Sequence, residues 1–175
     1  MSTVDLDDIA FLESIDPDEM GRRISELAVQ CKEARSLVKE CSLPDDYRNA
    51  EGIVILGLGG SAIGGDLVST LVWDECSVPI SVNRDYDLPA FVSDQTLVIA
   101  SSYSGNTEET LSAFRQALHR GARLMAITTG GELAEICQRE ALPLITFDYE
   151  SQPRAALGRD PALGHPGTRL RLRQI

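Results

Sequence analysis

The sequence predicts an α/β domain built on a doubly wound, five-stranded parallel sheet flanked by helices, with an N-terminal helical extension. Three observations predict it. Five short apolar runs lack alternation, which is how strands read when helices cover both faces of a parallel sheet. Segments with apolar residues spaced three or four apart alternate with those runs. Three of the runs lead into loops rich in glycine and hydroxyls, 57–62, 101–107 and 128–132. In an open α/β sheet such loops lie beyond the carboxyl ends of the strands, where ligands bind.

The composition narrows the class. With 175 residues, one domain with a sizeable core is expected. No apolar run approaches the roughly 20 residues that span a bilayer. The N-terminus is acidic (Asp5, Asp7, Asp8) and shows no apolar secretion core. Cys31, Cys41, Cys76 and Cys137 are widely spaced and form no C-x-x-C pair. They read as reduced core thiols of a cytoplasmic protein, neither zinc ligands nor disulfides. The net charge of −11 argues against a nucleic-acid partner, whose binding requires basic surface.

In chain order, residues 4–13 form a short amphipathic segment with Leu6, Ile9, Phe11 and Leu12. Asp16-Pro17-Asp18-Glu19 reads as a helix start, with Asp16 as cap and Glu19 closing a capping box. Met20, Ile24, Leu27, Cys31, Ala34 and Val38 then predict one long helix with a single buried face, ending before Pro44. It packs on the sheet or on a partner subunit. The expected strands are Ile53–Leu56, Val78–Val82, Thr96–Ala100, Leu124–Ile127 and Leu144–Phe147. Ile63, Leu67 and Leu71 mark the stripe of the helix after the first strand. Leu111, Phe114, Ala117 and Leu118 mark the helix after the third, and Leu133 and Ile136 the helix after the fourth.

The loop after the third strand, Ser101-Ser102-Tyr103-Ser104-Gly105-Asn106-Thr107, is the hub of the chain. It opens a helix, whose first-turn N–H groups lack partners and carry the positive end of the dipole. Phosphate binds readily there. The loop has no lysine, which a P-loop triphosphate site needs. One phosphate monoester on a neutral body suits it better. A helix cap by Asn106 and Glu109 accounts for those two residues, but not for Ser102, Ser104 and Gly105.

The first loop, Gly57-Leu58-Gly59-Gly60-Ser61-Ala62, also matches the G-x-G-x-x-G/A dinucleotide fingerprint, with Asp85 as the acid for the ribose. Against that, Ser61 adds a side-chain donor, and the hydroxyl-rich second loop would have no role. In the third loop, Thr129 or the glycine backbone lines a sugar, and Glu132 supports the first turn of the next helix.

Together these loops resemble the sugar isomerase (SIS) domain, and more closely the first half of the bifunctional phosphoglucose/phosphomannose isomerases. The matching stretches are Gly57 to Asp66, Ser102 to Thr110, Thr129-Gly130-Gly131-x-Leu133 and Pro153-Arg154-x-Ala156. The resemblance implies a single SIS domain over residues 51–158, following the helical extension 1–50. It implies interconversion of glucose 6-phosphate or mannose 6-phosphate with fructose 6-phosphate through an enediolate, without metal or cofactor. Ser102, Ser104 and Thr107 would hold the phosphate, Gly59, Gly60 and Ser61 would run along the sugar, and Arg154 would face the enediolate. A non-catalytic sugar-phosphate-binding module and a dinucleotide-binding domain are the alternatives. SIS domains pair, so a homo-oligomer is expected.

The family's proton-moving glutamate, histidine and lysine belong to a second half without counterpart here, and neither His119 nor His165 replaces them. Residues 159–175 carry four arginines against one aspartate and show no helix or strand period. They read as an irregular basic tail from a reading frame shifted near Gly158. Resequencing the locus tests this: a second apolar α/β half in another frame supports it, and none refutes it.

Overall fold

The structure is a computed structural model that describes residue 5 and residues 7–148. Arg154 and the tail 159–175 lie outside the described residues. Three helices come first: α1 (Ile9–Ile15), α2 (Met20–Ser25) and α3 (Leu27–Glu40), followed by a short 3-10 turn at Asp45–Asn49. Strands and helices then alternate as β1 (Gly52–Leu56), α4 (Gly60–Leu71), β2 (Ile80–Asn83), β3 (Thr96–Ser102), α5 (Glu108–His119), β4 (Arg123–Thr128), α6 (Gly131–Arg139) and β5 (Leu144–Thr146). All neighbouring strands pair parallel, in the order β2-β1-β3-β4-β5. The expected five-stranded, doubly wound sheet is therefore present. β1 has β2 on one side and β3 on the other, so the winding reverses between β1 and β3. Ligands of open α/β sheets bind at such a reversal.

Strand alternation divides the core into two faces. Val54, Leu56, Val98, Ala100, Leu124 and Ala126 turn toward Phe114 of α5 and Leu133 and Ile136 of α6. Ile53, Ile55 and Leu97 turn the other way, onto Tyr47 and Ala50. On that second face Met125, Ile127 and Ile145 receive Leu37 and Val38 of α3. Both faces are covered, which is why the strands carry no polar alternation.

The helix α4 is in place, but its expected stripe faces outward. Ile63, Leu67 and Leu71 are 49%, 44% and 47% exposed, whereas Ala62, Gly65 and Val68 are buried against the sheet. The reason is close approach. A Cβ on Gly65 would stand 3.0 Å from a methyl of Val82 and 3.1 Å from one of Ile55, so the small side of the helix is the one that fits.

The N-terminal segment also departs from expectation. The long helix is broken at Glu26 into α2 and α3, and the freed Arg23 carbonyl accepts from the Gln30 amide at 3.0 Å. Its apolar stripe is buried only toward the C-terminal end: Ala34 is buried, while Ile24 and Leu27 are exposed. Asp16 does receive the Met20 and Gly21 amides, at 2.8 and 2.7 Å, which holds its carboxyl below the usual range. Glu19 forms no capping box; it stands at the N-cap in a left-handed conformation, with its carboxylate on Arg22. None of the four cysteines is in a disulfide, but only Cys137 is fully buried, and burial pushes its thiol up to about 11.

Tyr47 closes a gap in the sheet. The Ala126 N–H reaches across to Pro143 on the β5 side, so Leu124, two residues earlier, directs its backbone groups the same way, before β5 has begun. The buried Tyr47 hydroxyl donates to the Leu124 carbonyl at 2.7 Å and accepts from its N–H at 3.2 Å. Tyr47→Phe strands both groups and is expected to cost about 1–3 kcal/mol. An unchanged urea midpoint would contradict this account of the tyrosine.

Candidate functional site

Because β1, β3 and β4 are adjacent, the three loops that follow them stand side by side at one sheet edge. β3 runs on through Ser102, opposite Thr128 of β4, so the hub begins on the strand itself. Ser102 is 3% exposed, and its hydroxyl closes the turn rather than standing open to solvent. It accepts from the Gly105 N–H at 3.1 Å and lies 2.9 Å from the Thr107 hydroxyl. Ser104 is exposed and accepts from the Asn106 N–H at 3.2 Å. The turn is thus drawn tight by its own serines.

The loops 101–107 and 128–132 are interlocked. Gly105 has φ of +69°, and a Cβ there would stand 1.9 Å from the Gly130 carbonyl oxygen, so no other residue fits. The Leu133 N–H donates to the Gly105 carbonyl at 3.0 Å, and the Thr129 N–H and hydroxyl both donate to the Tyr103 carbonyl, at 3.1 and 2.7 Å. Thr129, expected to line a sugar, therefore spends its proton on the backbone.

Capping is distributed unexpectedly. Asn106 does not cap α5, whose N-cap is Thr107. Its Oδ1 instead accepts from the Glu132 N–H at 3.0 Å, in the first turn of α6. Neither Gly59, the N-cap of α4, nor Thr107 makes a side-chain bond to its own helix. The two helix starts on either side of the winding reversal are left without a side-chain cap, and the third is capped from the neighbouring loop. Gly59 has φ of +55° and is exposed, and Gly60 and Ser61, half-buried, open α4.

A fourth loop stands at this edge, after β2, of which the sequence singled out only Asp85. Arg84 pairs with Asp66 of α4, and the Tyr86 hydroxyl donates to Glu108 of α5 at 3.1 Å. That carboxylate, with burial as a lesser cause, holds the Tyr86 phenol above its usual value. The charged and hydroxyl residues of Arg84-Asp85-Tyr86 were the only available signal. Asp85, the acid required by a dinucleotide, accepts from the Tyr86 N–H at 2.7 Å within its own loop. Glu132 is paired with Arg115. His119 ends α5, about 16 Å along the helix from its first residue. Among the described residues no group of three potential metal ligands occurs, and no helix is long and apolar enough to cross a membrane.

The bifunctional phosphoglucose/phosphomannose isomerase of Caldicellulosiruptor bescii is 50% identical over 139 residues, 79% of this chain and 41% of the relative. That of Thermoplasma acidophilum is 40% identical over 129 residues, 73% of this chain and 39% of the relative. The chain thus spans about two fifths of the length of these relatives. The crystal structure of tagatose-6-phosphate ketose/aldose isomerase from Escherichia coli shares the fold, with a TM-score of 0.63 and 16% identity, over 85% of this chain and 48% of that one. The family model described as the SIS domain matches residues 46–146, from the 3-10 turn to the last strand, and the chain belongs to the SIS domain family.

Proposed function

We propose that this chain binds a sugar 6-phosphate at the β1–β3 edge and supplies the phosphate-binding half of an aldose–ketose isomerase. The substrates would be glucose 6-phosphate or mannose 6-phosphate, converted to fructose 6-phosphate. The observation that carries the reading is the pair of helix starts, α4 and α5, without side-chain caps at the winding reversal, in a chain half identical to a phosphoglucose/phosphomannose isomerase. Open first-turn amides and the dipole favour a phosphate. Ser104 and Thr107 offer hydroxyls beside them, while Ser102 shapes the turn and shares its hydroxyl with Thr107. Gly59, Gly60 and Ser61 would follow the sugar, without a Cβ at the two glycines to crowd it. Arg154 would stabilise the enediolate charge electrostatically.

Binding without turnover is the second reading. Asp66, Glu108 and Glu132, three carboxylates at this edge, each hold a donor already, which leaves them poorly placed as proton-moving bases. A coupled isomerase assay on this chain mixed with the second half of a two-domain relative separates the two. Turnover lost on Arg154→Ala favours catalysis, and tight binding with no turnover favours the module. The reading also includes a cytoplasmic location and a homo-oligomer, the latter supported by the exposed stripe Ile63, Leu67 and Leu71 with Trp73 nearby, 84% exposed.

Fructose 6-phosphate at a hundredfold excess over Kd is expected to add about 2.7 kcal/mol of stability, seen as a Tm raised by several degrees. Ser104→Ala with Thr107→Ala should abolish that shift and leave the fold intact; a surviving shift would reduce the hub to a helix start. Light scattering should give a mass above one chain, reduced by Leu67→Glu, and a monomeric mass for the unaltered protein contradicts the oligomer.

A further inference from the structure

We propose that Tyr86 is a positioning residue for the phosphate site: its hydroxyl holds the Glu108 carboxylate to the side of α5, away from the bound anion. The inference rests on the reading in the preceding subsection. Glu108 is the first residue of α5, immediately after Thr107. A carboxylate there is favourable while the helix start is empty, because it faces the positive end of the dipole. Once a phosphate occupies the same start, the carboxylate becomes a like charge a few ångströms away, and repulsion opposes binding. The chain resolves this conflict by giving the carboxylate another partner.

That partner is itself held in place. Asn83 donates from its amide to the carbonyls of Asp85 and Asp87, at 3.1 and 3.2 Å. Gln116 of α5 donates to the Tyr86 carbonyl at 2.8 Å and accepts from the Leu88 N–H at 3.1 Å. Leu88 and Val92 join the core cluster of α5, so this loop lies in the same layer as the helix and flanks it. The bond from Tyr86 therefore draws Glu108 sideways within that layer. Tyr86 is 46% exposed, so burial does not account for a tyrosine at this position, whereas its reach to Glu108 does. A neutral hydroxyl also suits the task, since it anchors the carboxylate without adding a cation that would hold the phosphate off centre.

Titration calorimetry with fructose 6-phosphate on the full chain tests this with Tyr86→Phe, Glu108→Gln and the double variant. At low salt Tyr86→Phe should weaken binding about fivefold, as expected for one unscreened like charge near the anion. The loss should shrink at about 0.5 M salt. In the Glu108→Gln background, Tyr86→Phe should have no effect. Equal affinity of Tyr86→Phe and the unaltered chain overturns the proposal. So does a loss that persists in the Glu108→Gln background or at high salt, since it reports a loop-packing role. If the unaltered chain binds no fructose 6-phosphate, the reading of the site falls first and this inference with it, an outcome distinct from the others.

Discussion

The interlock of two loops at the end of β3 and β4 is the constraint on which the rest of this edge depends. Gly105 and Gly130 approach so closely that a single Cβ would strike a carbonyl oxygen, and a Cβ on Gly131 would stand 2.4 Å from the Ser104 carbonyl oxygen. Each loop supplies the other's missing backbone partners: Gly105 receives the Leu133 amide, Tyr103 the Thr129 amide, and Asn106 the Glu132 amide. A loop tied this way loses little further entropy when a ligand arrives. It also fixes where the first turn of α5 begins, and hence where its first-turn amides point.

The electrostatics of the edge follow from that placement. The chain is strongly acidic, and acids occur in the first turns of both α5 and α6. Such residues stabilise helix starts but oppose an anion at the same place. Asp66, Glu108 and Glu132 are each tied to a neighbour, Arg84, Tyr86 and Arg115. All three are solvent-exposed pairs, worth little in stability. Their effect is on where negative charge stands relative to the uncapped helix starts.

The outward face of α4 follows from the same economy of space. Gly65 lets the helix lie close against Ile55 and Val82, which places the larger side chains on the opposite face. A stripe of isoleucine and leucines is thereby left at the surface. That stripe supports the proposed homo-oligomer.

The strands were legible in the residues themselves, because a strand buried on both faces must be apolar at every position, and runs such as Ile53-Val54-Ile55-Leu56 have few other uses. The three loops were legible too, since glycine and hydroxyls clustered after such runs answer a local backbone need. The orientation of α4 was not, because Ile63, Leu67 and Leu71 form as regular a stripe as any core face, and only the neighbouring strands decide which side fits. Nor was the cap by Asn106, whose partner Glu132 lies 26 residues away, or the bond from Tyr86 to Glu108, which joins two loops across the layer. Sequence alone determined the strands, the doubly wound class and the glycine- and hydroxyl-rich loops at the carboxyl edge, all of which follow from short-range pattern. Only the tertiary structure decided which donors remain open and which acids are held aside, because those depend on groups distant along the chain meeting within hydrogen-bond reach.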